Sequence, residues 1–216
     1  MDTMIKEAIR YLGYGKHSAD EMTLHLIREA FGNLETAADP RIVSRIFELH
    51  VKDTAHLYIG NMNIESRSLA KNMKGCCQAV VLGATLGAGV DLLMRRQSLT
   101  DMAKAVVTQA CAAAMLEEFL DHEQDSMAAE FANEGKYLRP RFSPGYGDFS
   151  ISHQGEILAM LDAPKKIGLS MTDSGMLAPV KSVTAVIGIS TTKEACHRKG
   201  CEACNKLDCI YRRNEA

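Results

Sequence analysis

The sequence has no surplus of positive charge, no apolar run long enough to cross a bilayer and no export signal at its start. Its 25 Lys and Arg stand against 27 Asp and Glu, for a formal net charge of −2 and a pI near 6.4. Without a broad positive field there is nothing to gather phosphate backbones or anionic head groups, so neither nucleic acid nor membrane is expected as a partner. The longest uncharged run, Gly75 to Val90, holds Gln78 and several glycines and falls short of the roughly 20 apolar residues a transmembrane helix needs. Met1 to Tyr14 scatters Asp2, Lys6, Glu7 and Arg10 among its apolar residues, which is the pattern of a first helix and not of a secretory signal. A soluble cytoplasmic protein is expected.

Proline and glycine are missing from Thr100 to Phe131, a stretch rich in Ala, Met, Leu and Glu, so the longest helix is predicted there, over about 100–131. Ile5, Ala8, Ile9 and Leu12 repeat at helical spacing before Gly13. Ser18 and Glu21 form a capping-box pattern opening a second helix, with Met22, Leu26, Ile27 and Ala30 on one side and Gly32 at its end. Between Arg41 and Glu65, short β-branched runs predict two or three strands, and Ala79 to Leu82 a buried one. Ser68 to Lys74 predicts a turn or two of helix. A helix from Ser152 to about Ala163-Pro164 follows, then strands at Leu169 to Thr172, Met176 to Ala178 and Val183 to Ser190. Helices and strands without regular βαβ alternation predict an α+β fold, a mostly antiparallel twisted sheet with flanking helices. At 216 residues and 46% hydrophobic, one main domain over 1–190 is expected, with a polar, cysteine-rich tail over 191–216.

Three places could carry chemistry. Gly83 to Gly89 follows a strand and opens a helix, but it has neither the Gly-Lys-Ser/Thr of a phosphate loop nor the dinucleotide spacing, and close strand-to-helix packing accounts for its glycines. Arg141-Phe142-Ser143-Pro144-Gly145-Tyr146 puts a Pro-Gly turn beside a guanidinium that can grip a carboxylate in two hydrogen bonds and a tyrosine with an aromatic face and a hydroxyl. That set suits a zwitterionic ligand with an amino-acid end, or else an ordinary surface salt bridge. Four of the seven cysteines, Cys196, Cys201, Cys204 and Cys209, crowd into 14 residues, beside His197, Arg198 and Lys199. Their spacing predicts a four-thiolate cage for an iron–sulfur cluster or zinc. Cys76, Cys77 and Cys111 sit in apolar or helical settings and read as core residues.

The segment Arg141 to Tyr146 resembles the R-x-x-P-G-Y motif of the activation domain of cobalamin-dependent methionine synthase. Ile167 to Pro179 continues the likeness, and Arg10-Tyr11-Leu12-Gly13-Tyr14 with Ala84-Thr85-Leu86-Gly87 looks like the stand-alone versions of that domain beside split methionine synthases. After Tyr146 this chain runs Gly147-Asp148-Phe149-Ser150 where the fused enzymes have a Pro-Ala-Cys-Pro-like stretch.

The resemblance implies that Arg141, Pro144, Gly145 and Tyr146 bind S-adenosylmethionine, with Glu117 or Glu118 on the long helix near its sulfonium. It implies an accessory component that supports reductive methylation of cob(II)alamin on a separate corrinoid methyltransferase, most simply a split methionine synthase, with a reductase as a further partner. The chain has no Asp-x-His-x-x-Gly corrinoid-ligand motif, so cobalamin is expected on the partner. An iron–sulfur cluster in the tail could relay the electron, whereas zinc would only fold it. Two other readings remain open: a non-catalytic metal-binding adaptor, which binds metal but no S-adenosylmethionine, and a small-molecule methyltransferase, which turns over without a corrinoid protein.

Overall fold

The computed structural model of the chain describes residues 2–14 and 17–192. These fall into two compact units. One comprises the described residues of Met1–Asp39 and Leu86–Asp121; the other comprises Pro40–Thr85 and the described residues from His122 onward.

The first unit is helical. It holds α1 (Asp2–Tyr11), α2 (Glu21–Ala37), α4 (Ala88–Thr100) and the first part of α5 (Met102–Asn133). The start of α2 corrects the capping-box expectation: the N-cap is Asp20, whose carboxylate accepts from the Thr23 N–H at 2.7 Å, and Ser18 stays exposed. An ionised oxygen is the stronger acceptor at a helix N-terminus. Gly32 does not end α2. The helix runs on to Ala37 because Phe31 just before the glycine and Leu34 just beyond it are buried, and burying two such side chains outweighs the ~1 kcal/mol that a mid-helix glycine costs. Its inner stripe is Ile27, Ala30, Phe31 and Leu34, leaving Met22 76% exposed. The predicted long helix starts at Met102, since Asp101 leaves α4 in an extended conformation and accepts from the Lys104 N–H at 3.1 Å.

Glycine is required at the entry to α4. Gly87 has φ +83°, and a Cβ on Gly89 would lie 2.2 Å from the Ala37 carbonyl oxygen. Close packing therefore explains these glycines, as expected from the wrong spacing for a phosphate loop.

The second unit is built on an antiparallel sheet. Its strands are β1 (Arg41–Val51), β2 (His56–Ile59), β3 (Met62–Glu65), β4 (Cys76–Thr85), β5 (Tyr137–Leu138) and β8 (Ser182–Ser190), in the order β3-β2-β1-β4-β8-β5. A two-stranded ribbon pairs β6 (Ser170–Met171) with β7 (Leu177–Ala178). The three strands between Arg41 and Glu65, the strand at 79–82 and those at 169–190 match the predicted ones, while β5 carries no sequence signal in its two residues.

One face of the sheet offers Leu49, Ala79, Val81 and Val186. Against it pack Leu69 of α3 (Arg67–Asn72), Ile157, Leu158 and Leu161 of α6 (Gln154–Leu161), Ile167 of α7 (Ala163–Ile167), and Phe149. Burial at this density is worth roughly 1.5–3 kcal/mol per large side chain. The helix expected from Ser152 is split: Ile151–His153 is a 3₁₀ turn capped by Ser150, Asp162 takes a left-handed conformation after Leu161, and the chain then turns helical again as far as Ile167. Pro164 is accommodated in the first turn of α7, where its missing N–H is no loss. The α+β fold, the antiparallel sheet and the single long helix stand as predicted. Among the described residues, no helix is long and apolar enough to cross a membrane.

Candidate ligand-binding loop

The chain leaves α5 and is stitched along the free edge of β8. Tyr137 and Leu138 pair with Ser190 and Ile189, the Arg139 N–H donates to the Gly188 carbonyl at 2.8 Å, and Phe142 and Val186 exchange two backbone hydrogen bonds at 2.9 Å. The Arg139 side chain is buried and donates to the Lys74 carbonyl at 3.1 Å. Of the two arginines, Arg139 is therefore taken up by the core, whereas Arg141 stays partly exposed. Proline at 140 and 144 is tolerated because the adjoining strand is an edge.

The motif itself forms a tight turn. The Tyr146 N–H donates to the Ser143 carbonyl at 3.0 Å, with Pro144 buried at the root and Gly145 at φ +91°. Proline then glycine at the two central positions is what a type II turn demands. A second ring closes behind it: the Gly145 N–H donates to the Phe149 carbonyl at 2.7 Å and the Phe149 N–H to the Tyr146 carbonyl at 3.0 Å. The amides of Gly145 and Tyr146 are thus spent inside the loop.

Tyr146 projects outward, 72% exposed. Its ring meets Phe142 edge-on at 6.0 Å, Phe142 lies 6.4 Å from the buried Phe149, and Phe149 stacks on His153 at 5.4 Å. His153 pairs in turn with Glu156. This aromatic row limits where the tyrosine can point. Arg141 is half-buried and donates through Nη1 to Gln124 Oε1 at 2.9 Å.

Beyond the motif, Asp148 accepts from Ser66 Oγ at 2.6 Å and from the backbone N–H groups of Arg67 and Ser68 at 2.8 and 3.0 Å. These donors, the Ser66 hydroxyl first, hold its carboxyl well below the usual carboxylate range. Reading the sequence did not find Asp148. An aspartate after a glycine signals only a turn, and its partners lie 80 to 82 residues upstream.

The other nominated residues lie elsewhere. Glu117 sits in the helical unit, half-buried on α5, while Glu118 is exposed. Burial raises the Tyr11 hydroxyl pKa, and the Glu117 charge adds to that rise. Arg141, Pro144, Gly145 and Tyr146 belong together in the sheet unit. Cys196, Cys201, Cys204 and Cys209 lie outside the described residues. Among the described residues no group of three or more His, Cys, Asp or Glu could hold a metal ion. Cys76 and Cys111 are buried as expected, with burial pushing the Cys111 thiol up to about 12; the core expectation fails for Cys77, which is exposed where the register of β4 against β8 shifts between Cys76 and Gln78.

Fold and loop together define an α+β domain that presents an Arg…Pro-Gly-Tyr turn on the edge of an antiparallel sheet. No family model matches the sequence, and no curated protein matches it. Among solved structures, one described as the MetH reactivation domain bound to AdoHcy superposes with a TM-score of 0.61 at 14% identity, covering 88% of this chain and 77% of that one. The chain has the fold of the MetH reactivation domain.

Proposed function

We propose that this protein binds S-adenosylmethionine through the Arg141–Tyr146 loop and supports reductive methylation of cob(II)alamin held by a separate corrinoid methyltransferase. The observation that carries this reading is a coincidence of motif and fold: the R-x-x-P-G-Y loop occurs in a chain whose fold is that of a reactivation domain crystallised with AdoHcy. At the level of chemistry, the loop suits such a ligand. Arg141 can hold a carboxylate. With the Gly145 and Tyr146 amides occupied within the turn, the backbone presents carbonyl acceptors, which match an ammonium or an exocyclic amine. Tyr146 adds an exposed aromatic face for a purine or a sulfonium.

Bound S-adenosylmethionine would supply the methyl group, its carbon–sulfur bond breaking as cobalt, reduced by one electron from a reductase, takes up the carbon. The role of this chain is positional: it would present the methyl carbon in line with the partner's cobalt. Glu117 is a further candidate for binding, and Glu117→Gln titrated in the same way tests it: unaltered affinity removes it. Cys196, Cys201, Cys204 and Cys209 are proposed to hold an iron–sulfur cluster or zinc.

The test is calorimetric titration of the anaerobically purified protein with S-adenosylmethionine, repeated on Arg141→Ala. Saturable binding that the substitution weakens supports the reading. Absence of binding by the wild type removes it in favour of a metal-binding adaptor.

A further inference from the structure

The loop that carries Tyr146 is fastened twice. On one side Phe142 is paired with Val186 on β8. On the other, immediately after Tyr146, the chain runs onto the first turn of α3. There a Cβ on Gly147, which has φ +57°, would come within 2.9 Å of Ser68 Oγ, so the backbone lies against that turn as closely as glycine permits. The next residue, Asp148, takes three hydrogen bonds from the same turn, from Ser66 Oγ and the Arg67 and Ser68 N–H groups. Ser66 is itself buried and accepts from the Leu69 N–H at 3.0 Å.

We infer that Asp148 is a positioning residue: its carboxylate latches the Pro144–Tyr146 turn to the start of α3 and thereby fixes where Tyr146 and the turn carbonyls meet a ligand. Three donors on one ionised group give a directional contact. Because Asp148 itself is exposed, water competes for it, and the latch contributes more to the location of the loop than to global stability. The low carboxyl pKa accords with an acceptor that is ionised throughout the neutral range. Asp148 is not itself a ligand contact in this scheme, since its oxygens are turned to α3.

The ligand arm of this inference rests on the reading that the loop binds S-adenosylmethionine; the latch itself does not. Both are separable in one experiment, hydrogen exchange of the Gly145 and Phe149 amides together with calorimetric titration, on wild type, Asp148→Ala, Asp148→Asn, Ser66→Ala and Arg141→Ala. Asp148→Ala should speed exchange at both amides and weaken S-adenosylmethionine by about tenfold, the equivalent of one hydrogen bond to a charged group. Asp148→Asn, which keeps an acceptor oxygen, should recover most of the protection and affinity. Ser66→Ala should move both in the same direction as Asp148→Ala, and Arg141→Ala should weaken binding with exchange unchanged. Unaltered exchange in Asp148→Ala overturns the latch. Faster exchange with unaltered affinity overturns its positioning role. If wild type binds nothing while exchange still responds, the latch stands and the S-adenosylmethionine reading falls.

Discussion

Arg141 donates through Nη1 to Oε1 of Gln124 at 2.9 Å, across the turn of chain that joins α5 to the edge of the sheet. This contact to a neutral amide orients the guanidinium and takes nothing from its charge. Removing the charge and removing the amide should therefore have unequal effects. Arg141→Ala is expected to weaken S-adenosylmethionine about 10- to 100-fold, and Gln124→Ala less than about fivefold. Calorimetric dissociation constants decide between this order and its reverse.

Gly89 packs against the end of α2 so closely that a Cβ would stand 2.2 Å from the Ala37 carbonyl oxygen. A backbone oxygen cannot rotate away as a side chain can. Gly89→Ala should destabilise the chain by ~1–3 kcal/mol or more, read as a lowered midpoint in denaturant. By contrast Gly32→Ala, where nothing lies within 4 Å, should stabilise it slightly through helix propensity.

Acid should act through Asp148 in a defined direction. Its folded-state carboxyl titrates below the unfolded value of about 3.9. Its contribution is therefore fully present above that value and is lost as pH falls through the lower, folded one. Wild type should be more stable than Asp148→Ala at pH 7, and the gap should close progressively below about pH 4. Denaturant midpoints measured at pH 7 and at pH 3 show whether it does.

Among Cys76, Cys77 and Cys111, only Cys77 is exposed, and burial holds the Cys111 thiol up to about 12. Native labelling with a thiol reagent, read by peptide mass, should modify Cys77 and spare the other two. Labelling of Cys111 at the same rate as Cys77 would contradict the burial seen here.

Iron or zinc is expected to copurify with the chain and to be lost on Cys204→Ser. Elemental analysis measures the loss, and a brown visible absorption distinguishes a cluster from zinc.

Much of the fold could be read from local chemistry. The absence of proline and glycine over Thr100 to Phe131 announces α5, and β-branched runs announce β1, β4 and β8, because propensity and periodicity act over a few residues. Helix ends were less legible. Ser18 and Asp20 both suit a cap, and the choice between them depends on backbone geometry. Gly32 reads as a stop until Phe31 and Leu34 are seen to be buried on the same helix.

By itself the sequence determined the α+β class, the long helix and the Arg141–Tyr146 motif, because each is written in neighbouring residues. Only the tertiary structure decided which arginine is buried in the core and which stays partly exposed, and which distant group secures the loop. Arg139 and Arg141 are two residues apart and chemically alike, yet one is buried and donates to the Lys74 carbonyl while the other is half-buried and donates to Gln124. Asp148 finds its donors at Ser66, Arg67 and Ser68 for a reason no local pattern encodes: hydrogen bonds between segments some 80 residues apart exist only once the sheet has brought those segments together.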